Sequence, residues 1–126
     1  MILSSGIDLI EIGRIQKALD RHGDRFLKRV FTPAEIEQAR GSTPELAARF
    51  AAKEAASKAL GTGIGPISWV EVEIISKPSG KPILHLSGRA RTISDALGYQ
   101  NWSVSLTHTK GMAAAVVVCI GELQGS

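Results

Sequence analysis

The stretch RFAAKEAASKALGTGIG, residues 49–65, decides the fold because it predicts one long helix that ends in a glycine loop. Alanine is the best helix former, so the helix itself needs no further explanation. On a helical wheel at about 100° per residue, the alanines fall on one side and the charged residues fall on the other. Since the alanine side carries little bulk, we expect it to pack closely against a sheet or another helix.

The charged side of this helix carries Arg49, Lys53, Glu54 and Lys58, with Phe50 among them. An aromatic ring beside charges indicates a half-buried polar face, and half-buried charges need partners. The structural alternative is that Glu54 and Lys58 form an ordinary i,i+4 surface pair, which contributes only about 0.2–0.5 kcal/mol.

Three glycines follow the helix, at Gly61, Gly63 and Gly65. One glycine is enough to end a helix in the left-handed conformation. The other two indicate a loop whose backbone can approach a ligand closely. Because the glycines follow the helix instead of preceding it, the segment is not a phosphate loop of the P-loop class.

The composition is that of an ordinary globular protein and predicts a single domain over residues 1–126. Hydrophobic residues make up 44% of the chain and charged residues 21%. The sequence has no apolar run long enough to cross a membrane and no basic start typical of a signal peptide. Its single cysteine, Cys119, excludes an internal disulfide and is interpreted as a core residue. We therefore expect a cytoplasmic protein.

Alternating periodicities predict an α+β fold, with a mostly antiparallel sheet and the long helix packed against it. The chain shows no linker and no internal repeat. In order, the sequence predicts a strand over residues 2–11, a helix ending at Gly23, a helical turn near 26–31, a helix capped by Thr32 and Glu35, the long helix over about 44–60, a strand with Val70, Val72 and Ile74 on one face, a strand over 83–86, a helix over 88–97, and a hairpin turning at 109–111.

Asp8 and Glu54 are the candidate metal ligands. Asp8 shares a strand face with Ile10 and should point inward, although a carboxylate that caps a strand end would look the same. Two carboxylates in apolar surroundings repel each other unless a cation lies between them. Mg²⁺ suits such a pair, and together with Lys58 it suits a pyrophosphate.

Two further features are compatible with acidic ligands. His108 stands between two threonines and precedes Lys110, which could together bind a phosphate, although a lone histidine is more often structural. Residues 14–29 carry six Lys and Arg residues against two Asp residues. Such a cluster is usually a solvated face, and the sharper interpretation is a docking surface for an acidic partner or for nucleic acid.

Five segments together resemble the holo-acyl-carrier-protein synthases, the small 4'-phosphopantetheinyl transferases of bacterial fatty-acid synthesis. The segments are GIDLIEIGRI, FTPAEIEQA, RFAAKEAASKALGTGIG, SGKPILHLSG and WSVSLTHTKGMAAAVVV, and they occur in the family's order. The resemblance covers essentially the whole chain, and the first and third segments in combination are highly specific to the family.

The resemblance implies the 4'-phosphopantetheinyl transferase fold and a Mg²⁺-dependent transfer of phosphopantetheine from coenzyme A to a serine of apo-acyl carrier protein. It implies that Asp8 and Glu54 bind the metal and that Lys58 contacts the coenzyme A phosphates. It further implies a homotrimer with sites at subunit interfaces, so that Arg49 and His108 could serve a neighbouring chain's site. The remaining residues that it implicates are Ser57 and Gly61 for coenzyme A and Arg14, Lys17, Arg21 and Arg25 for the acidic carrier protein.

Attack on a pyrophosphate is helped mainly by positioning and by neutralising phosphoryl charge, which Mg²⁺ and Lys58 can supply. Glu54 is the first candidate for the base that deprotonates the serine, directly or through a bound water molecule. Two other classes stay open at this point. One is a nucleic-acid-binding module, although the chain has few aromatic residues for base stacking, and the other is a nucleotide pyrophosphatase that uses the same metal site.

Overall fold

The computed structural model describes residues 1–123, which form five strands and five α-helices. In chain order these are β1 (Ile2–Glu11), α1 (Ile12–His22), α2 (Asp24–Val30), α3 (Pro33–Ala39), α4 (Thr43–Leu60), β2 (Val72–Ser76), β3 (Pro82–Leu86), α5 (Gly88–Leu97), β4 (Tyr99–His108) and β5 (Met112–Gly121). The predicted α+β class is confirmed. Over residues 1–123, the helices are all too short or too polar to span a membrane.

The strands form two antiparallel sheets. β1, β5 and β4 make a three-stranded sheet in that spatial order, and β2 and β3 make a separate hairpin. Asp8 of β1 lies opposite Ala115 of β5, which in turn lies opposite Leu106 of β4. Because side chains alternate along a strand, Asp8 and the buried Ile10 share one face of the sheet.

The alanine side of α4 packs directly on this face, as the sequence predicts. Ala51, Ala52, Ala55 and Ala56 are all fully buried. Gly6 of β1 permits the close approach, because a Cβ at this position would overlap the carbonyl oxygen of Ala55. The backbones of strand and helix therefore come nearly into contact, without a side chain of either element between them.

The other side of α4 carries two charged stripes instead of the single half-buried face that the helical wheel predicts. Arg49 and Lys53, one turn apart, are only 2% and 0% exposed and contact β2. Glu54 is half-buried, and Lys58 is exposed and contacts β1. Successive helix residues are rotated by about 100°, so Lys53 and Glu54 face different sheets although they are neighbours in the chain.

Side chains of α3 and α4 cover the free edge of β2 in place of a third strand. From α4, Lys53 donates a hydrogen bond to the Val72 oxygen and Arg49 donates one to the Ile74 oxygen. From α3, Glu35 accepts a hydrogen bond from the Ile74 nitrogen, and Gln38 both accepts from the nitrogen of Ser76 and donates to its oxygen. An open edge would otherwise expose unpaired backbone groups that can pair with another chain. Arg49 and Lys53 thus donate hydrogen bonds to backbone oxygens of this edge.

One predicted strand boundary is wrong. Val70 does not share a strand face with Val72, because Trp69–Glu71 forms a 3-10 turn and β2 begins only at Val72. The carboxylate of Glu71 accepts a hydrogen bond of 2.7 Å from the backbone nitrogen of Ser68, which closes the turn. The predicted capping box of Thr32 and Glu35, in contrast, is present at the start of α3.

The face of the three-stranded sheet that points away from α4 is apolar and exposed. We call it the apolar sheet face. Its large side chains are Leu3, Ile7, Leu9, Val116, Val118 and Ile120. The three on β1 are 64–67% exposed, and Ile7 lies directly opposite Val116 in the ladder. A continuous exposed apolar surface of this kind marks an interaction site.

Candidate active site

Asp8, Glu54 and Lys58 come together where α4 crosses β1. The ammonium of Lys58 lies 3.1 Å from the Asp8 Oδ1 atom and donates a hydrogen bond of 2.9 Å to the backbone oxygen of Ile7. The Asp8 side chain is 18% exposed and that of Lys58 is 52% exposed. Asp8 and Glu54 line the same cavity. The structure thus brings Asp8, Glu54 and Lys58 into one site, as expected from the sequence. Their chemical roles stay predictions.

The electrostatics of this site favour an added cation. Burial raises the pKa of the Glu54 carboxyl above its ordinary value, and the negative charge of Asp8 raises it further. Lys58 acts in the opposite direction with a smaller effect. The two carboxylates therefore carry more negative charge than this lysine neutralises, and a bound cation would relieve the imbalance.

The donor set fits magnesium better than zinc. Asp8 and Glu54 provide two carboxylates, and residues 1–123 contain no group of three or more His, Cys, Asp or Glu side chains placed to hold a metal. Mg²⁺ is commonly held by one or two carboxylates, with water and phosphate oxygens completing the octahedron. A closed zinc site requires more nitrogen or sulfur ligands than this pair offers.

The cavity beside the carboxylates has a volume of about 390 Å³ and joins them to helix α1. Arg14 of α1 stands on its polar rim, while Phe26 and Phe50 form aromatic walls. From the sequence, Phe26 is expected only to begin the helical turn near 26–31. Its position in this cavity depends on how α2 packs against α1 and the 3-10 turn, for which the sequence carries no local signal.

Ser57, which the family resemblance places in the coenzyme A site, is fully buried in α4. Its hydroxyl donates a hydrogen bond of 2.7 Å to the backbone oxygen of Glu54. Its own backbone oxygen accepts from the nitrogens of Thr62 and Gly63, at 3.1 and 3.2 Å. In this chain Ser57 thus links the end of α4 to the glycine loop.

All three loop glycines adopt positive φ, with 81° at Gly61, 66° at Gly63 and 137° at Gly65. Gly61 ends α4 in the left-handed conformation, as predicted. No atom lies within 4 Å of the place where a Cβ would stand on any of the three. The loop therefore needs glycine for its backbone conformation, and open space lies beside it.

Arg49 lies away from the carboxylate pair and is held by its own chain. Its Nε donates to the Ile74 oxygen, one terminal nitrogen to the backbone oxygen and the carboxylate of Glu45, and the other to Gln38 and Ser76. All five N–H groups of the guanidinium are thus occupied.

His108 is the last residue of β4 and is exposed. It lies opposite Ala113 of β5, and Ala113 lies opposite Ile10 of β1. Strands are spaced about 4.8 Å apart, so His108 is two strands, or about 10 Å, from β1. The structure does not bring it to Asp8 and Glu54 within one chain.

The basic residues predicted to dock the partner form an exposed surface. Arg14, Lys17 and Arg21 follow one another at spacings of three and four along α1, and Arg25 lies in the first turn of α2. Within residues 1–123, none of the four takes part in an ion pair. Since Arg14 also stands at the cavity, this surface adjoins the carboxylate pair.

No role for Lys53 was predictable from the sequence. Its ammonium donates hydrogen bonds of 2.8 Å to the carboxylate of Glu35 and 3.0 Å to the backbone oxygen of Trp69. Both charged side chains are fully buried. Burial lowers the pKa of Lys53, and Glu35 opposes that shift. The sequence does contain one signal for this arrangement. Arg49 and Lys53 are four residues apart and so lie on one stripe of α4, while Glu54 and Lys58 lie on another.

Glu54→Gln is expected to raise the thermal stability of the ligand-free protein near pH 7. A carboxyl whose folded pKa is raised contributes stability below its unfolded pKa, and this contribution is lost as the pH rises through the folded pKa. The ionised Glu54 therefore destabilises the fold at neutral pH, and the gain from glutamine should shrink as the pH falls through the raised folded pKa and be absent below about pH 4.

Melting temperatures measured by circular dichroism from pH 3 to 8, with a chelator present, test this expectation. Glu37→Gln is the matched control, because Glu37 is exposed on α3. A wild-type protein that is more stable than Glu54→Gln at pH 7 would show that the ionised carboxylate is stabilised by its surroundings.

A family profile described as the 4'-phosphopantetheinyl transferase superfamily matches residues 4–117 of the chain. Among curated proteins, a holo-[acyl-carrier-protein] synthase of Herpetosiphon aurantiacus is 47% identical over 127 residues, covering 95% of this chain and 100% of that protein. A protein of the same description from Koribacter versatilis is 44% identical over 122 residues, covering 94% of this chain and 98% of the relative.

The chain is also similar to solved structures of holo-[acyl-carrier-protein] synthases. The holo-[acyl-carrier-protein] synthase of Helicobacter pylori in complex with coenzyme A has a TM-score of 0.85 and 37% identity, over 92% of this chain and 99% of that one. A holo-(acyl-carrier-protein) synthase from Bacillus anthracis, in complex with CoA (3',5'-ADP), has a TM-score of 0.77 and 38% identity, over 94% and 96% of the two chains.

Proposed function

This chain belongs to the 4'-phosphopantetheinyl transferase superfamily, among the holo-[acyl-carrier-protein] synthases, and from this premise we propose its reaction and its cofactor. The chain transfers the 4'-phosphopantetheine group from coenzyme A to a serine of an acidic apo-acyl carrier protein and releases adenosine 3',5'-bisphosphate. The reaction depends on Mg²⁺ and serves fatty-acid biosynthesis in the cytoplasm. A single transferase domain carries it out.

One observation carries the proposal. The paired carboxylates of Asp8 and Glu54, with Lys58 beside them, open into a cavity that reaches the basic surface of α1. A site that accepts a pyrophosphate on one side and an acidic protein on the other is suited to transfer between the two. A nucleic-acid-binding function would use the basic surface alone and leave the carboxylate pair without a role.

The residues of this chain would divide the chemistry as follows. The Lys58 ammonium binds a pyrophosphate oxygen, and Mg²⁺ held by Asp8 and Glu54 would neutralise further charge on the phosphoryl oxygens. Glu54 accepts the proton of the carrier serine, directly or through a bound water molecule.

As the serine Oγ forms a bond to the phosphorus that bears pantetheine, the bond from that phosphorus to the bridging oxygen breaks. Adenosine 3',5'-bisphosphate leaves with that oxygen. No covalent intermediate on this chain is required, since the attacking hydroxyl belongs to the carrier protein.

Coenzyme A would extend from the carboxylates along the end of α4. The open space beside Gly61 admits the nucleotide close to the backbone, and Ser57 holds the glycine loop in place. Arg49 and His108 lie away from the carboxylates of their own chain, so their proposed contacts with coenzyme A are made at the site of a neighbouring subunit.

The apolar sheet face is the proposed trimer interface. Its aliphatic side chains on β1 are about two-thirds exposed in the single chain and would be buried by association. Sedimentation equilibrium tests this, and Ile7→Lys, on the centre of the face, should yield monomers. A wild-type protein that sediments as a monomer at micromolar concentration would contradict the trimer.

The decisive experiment for the function is a mass measurement. The protein is incubated with coenzyme A, Mg²⁺ and an apo-acyl carrier protein, and the carrier is weighed by mass spectrometry. Transfer adds one phosphopantetheine group to the carrier, and a chelator should prevent it. Cleavage of coenzyme A without any carrier would favour a pyrophosphatase, and an unchanged carrier mass would contradict the transferase.

Arg14→Glu combined with Arg21→Glu is expected to weaken carrier-protein binding by at least tenfold while leaving coenzyme A affinity unchanged. Both residues are exposed cations on one stripe of α1, and reversing their charge replaces attraction with repulsion for an acidic partner. Calorimetric titration with each substrate separately measures the two affinities.

Lys77→Glu with Lys81→Glu is the matched control, because these exposed lysines flank the turn between β2 and β3 and lie outside the docking surface. This control should leave carrier affinity nearly unchanged. An equal loss of coenzyme A affinity in the α1 variant would show that this surface is not specific to the carrier.

A further inference from the structure

The two aromatic walls of the cavity are each supported by a second aromatic ring. Phe26 contacts Phe31 edge to face, with ring centroids 6.2 Å apart and planes at 77°. Phe50 stacks on Trp69, with centroids 4.6 Å apart and planes at 28°. Phe31 is buried, so the wall formed by Phe26 rests on the interior of the protein.

Lys53 lies behind both supports. Its Nζ atom is 5.6 Å from the centroid of the Phe31 ring, a cation–π distance. The same atom donates a hydrogen bond of 3.0 Å to the backbone oxygen of Trp69. A single buried ammonium thus contacts the residue behind each of the two walls.

The position of this ammonium is fully determined by its surroundings. Its three protons have three acceptors, which are the Glu35 carboxylate and the backbone oxygens of Trp69 and Val72. Glu35 is fixed in turn, because it accepts hydrogen bonds of 2.9 Å from the backbone nitrogens of both Thr32 and Ile74. The network therefore ties α3, α4 and the 3-10 turn together at one point.

Stability alone does not account for such a pair. A buried ion pair can often be replaced by apolar residues of similar volume without loss of stability, because desolvation offsets the attraction. An apolar side chain would fill the same space, but it would fix neither the direction of the Trp69 backbone nor the distance to Phe31. What the pair adds is a defined geometry.

We propose that the buried Lys53–Glu35 pair is a positioning device that sets the separation of the Phe26 and Phe50 walls, and hence the shape of the cavity in which the carrier serine reaches Glu54. Lys53 is a positioning residue and not a catalytic one, since it is fully buried and does not line the cavity. This inference rests on the proposed transfer reaction, because the walls matter only if an acceptor enters between them.

The test is the double variant Glu35→Gln/Lys53→Met, which removes both charges together, so that neither ion stays buried without its counter-ion, while the Trp69 and Val72 backbone oxygens lose their donor. We expect a folded protein whose kcat/KM for the carrier protein falls by about tenfold, because misplacing groups by an ångström is costly to transfer. Its dissociation constant for coenzyme A should stay within about twofold of the wild type. All rates are measured well below the melting temperature of the variant.

Ser94→Ala is the matched control for a purely structural loss. Ser94 is buried in α5 and accepts a hydrogen bond of 3.1 Å from the indole nitrogen of Trp102, away from the cavity walls. This change should lower the melting temperature but leave kcat/KM for the carrier protein and the dissociation constant for coenzyme A unchanged. Equal kinetic effects in Ser94→Ala and in the double variant would overturn the proposal.

A second readout needs no activity. In a Trp102→Phe background the fluorescence comes from Trp69, and loosening its stack on Phe50 should shift the emission of the double variant relative to its parent. A wild-type protein without transfer activity would refute the proposed function. The emission of Trp69 would still test whether the Lys53–Glu35 pair holds the stack of Trp69 on Phe50. Unchanged emission together with unchanged kinetic constants would overturn the positioning role.

If the double variant does not fold, Trp69→Leu decides the question. This change keeps the Lys53–Glu35 pair and the backbone acceptor of residue 69 but removes the ring that supports Phe50. We expect the same fall in kcat/KM for the carrier protein. Kinetic constants equal to those of the wild type would show that the cavity wall needs no support.

Discussion

Glu54→Gln is expected to lower Mg²⁺-dependent transfer by about a hundredfold or more while the protein stays folded. Glutamine keeps the size and shape of the side chain, but it offers a neutral oxygen in place of a carboxylate and cannot accept the serine proton. The residual rate should respond weakly to added Mg²⁺. Among the described residues that line the cavity, Asp8 would then be the one remaining carboxylate.

The rate is measured as the gain of phosphopantetheine mass on the carrier protein, over a range of Mg²⁺ concentrations. Glu37→Gln, an exposed change on α3, is the control and should transfer at the wild-type rate. The informative combination is a Glu54→Gln protein that melts higher at neutral pH and yet is inactive, as expected for a residue that costs stability for function. Full activity in the variant would remove Glu54 from the site.

Much of the local structure follows from signals that lie close together in the sequence. The alanine run predicts α4, and Gly61 ends it with a φ of 81°. The cap formed by Thr32 and Glu35 marks the start of α3. These features are predictable because each depends on contacts within one or two turns of the chain, where propensity and capping dominate.

The division of charges on α4 is not predictable in the same way. A helical wheel places Arg49 and Lys53 beside Glu54 and Lys58, but it holds no information on which neighbour each stripe meets. The hairpin of β2 and β3 lies far along the chain, and only its position against α4 makes the first pair buried and the second half-exposed. Such long-range packing overrides the local pattern.

The convergence of Asp8 and Glu54 could be inferred because it follows from chemistry. Two acids with apolar neighbours require a shared cation or separate locations, and the burial pattern of β1 places Asp8 on the face that α4 covers. The aromatic walls have no comparable signal. Phe26 and Phe50 come from different helices, and their joint position at one cavity depends on the fold of residues 12–60 as a whole.

Gly6→Ala is expected to destabilise the protein by about 3 kcal/mol or more. The new Cβ would overlap the carbonyl oxygen of Ala55 and lie 2.8 Å from its carbonyl carbon and 3.0 Å from the nitrogen of Ala59. These are backbone atoms of a helix, which cannot rotate away as a flexible side chain can. To admit the methyl group, α4 must move as a unit away from β1.

That movement couples stability to function, because the same helix carries Glu54 towards Asp8. We expect the melting temperature to fall by roughly 10 °C or more, and transfer to be lost even in the fraction that stays folded. Gly13→Ala is the matched control: Gly13 is exposed in α1 with no atom within 4 Å of the added Cβ, so alanine should raise stability by about 0.5–1 kcal/mol. A Gly6→Ala protein that melts like the wild type would show that the spacing between strand and helix can adjust, and the proposed site would then not depend on this close approach.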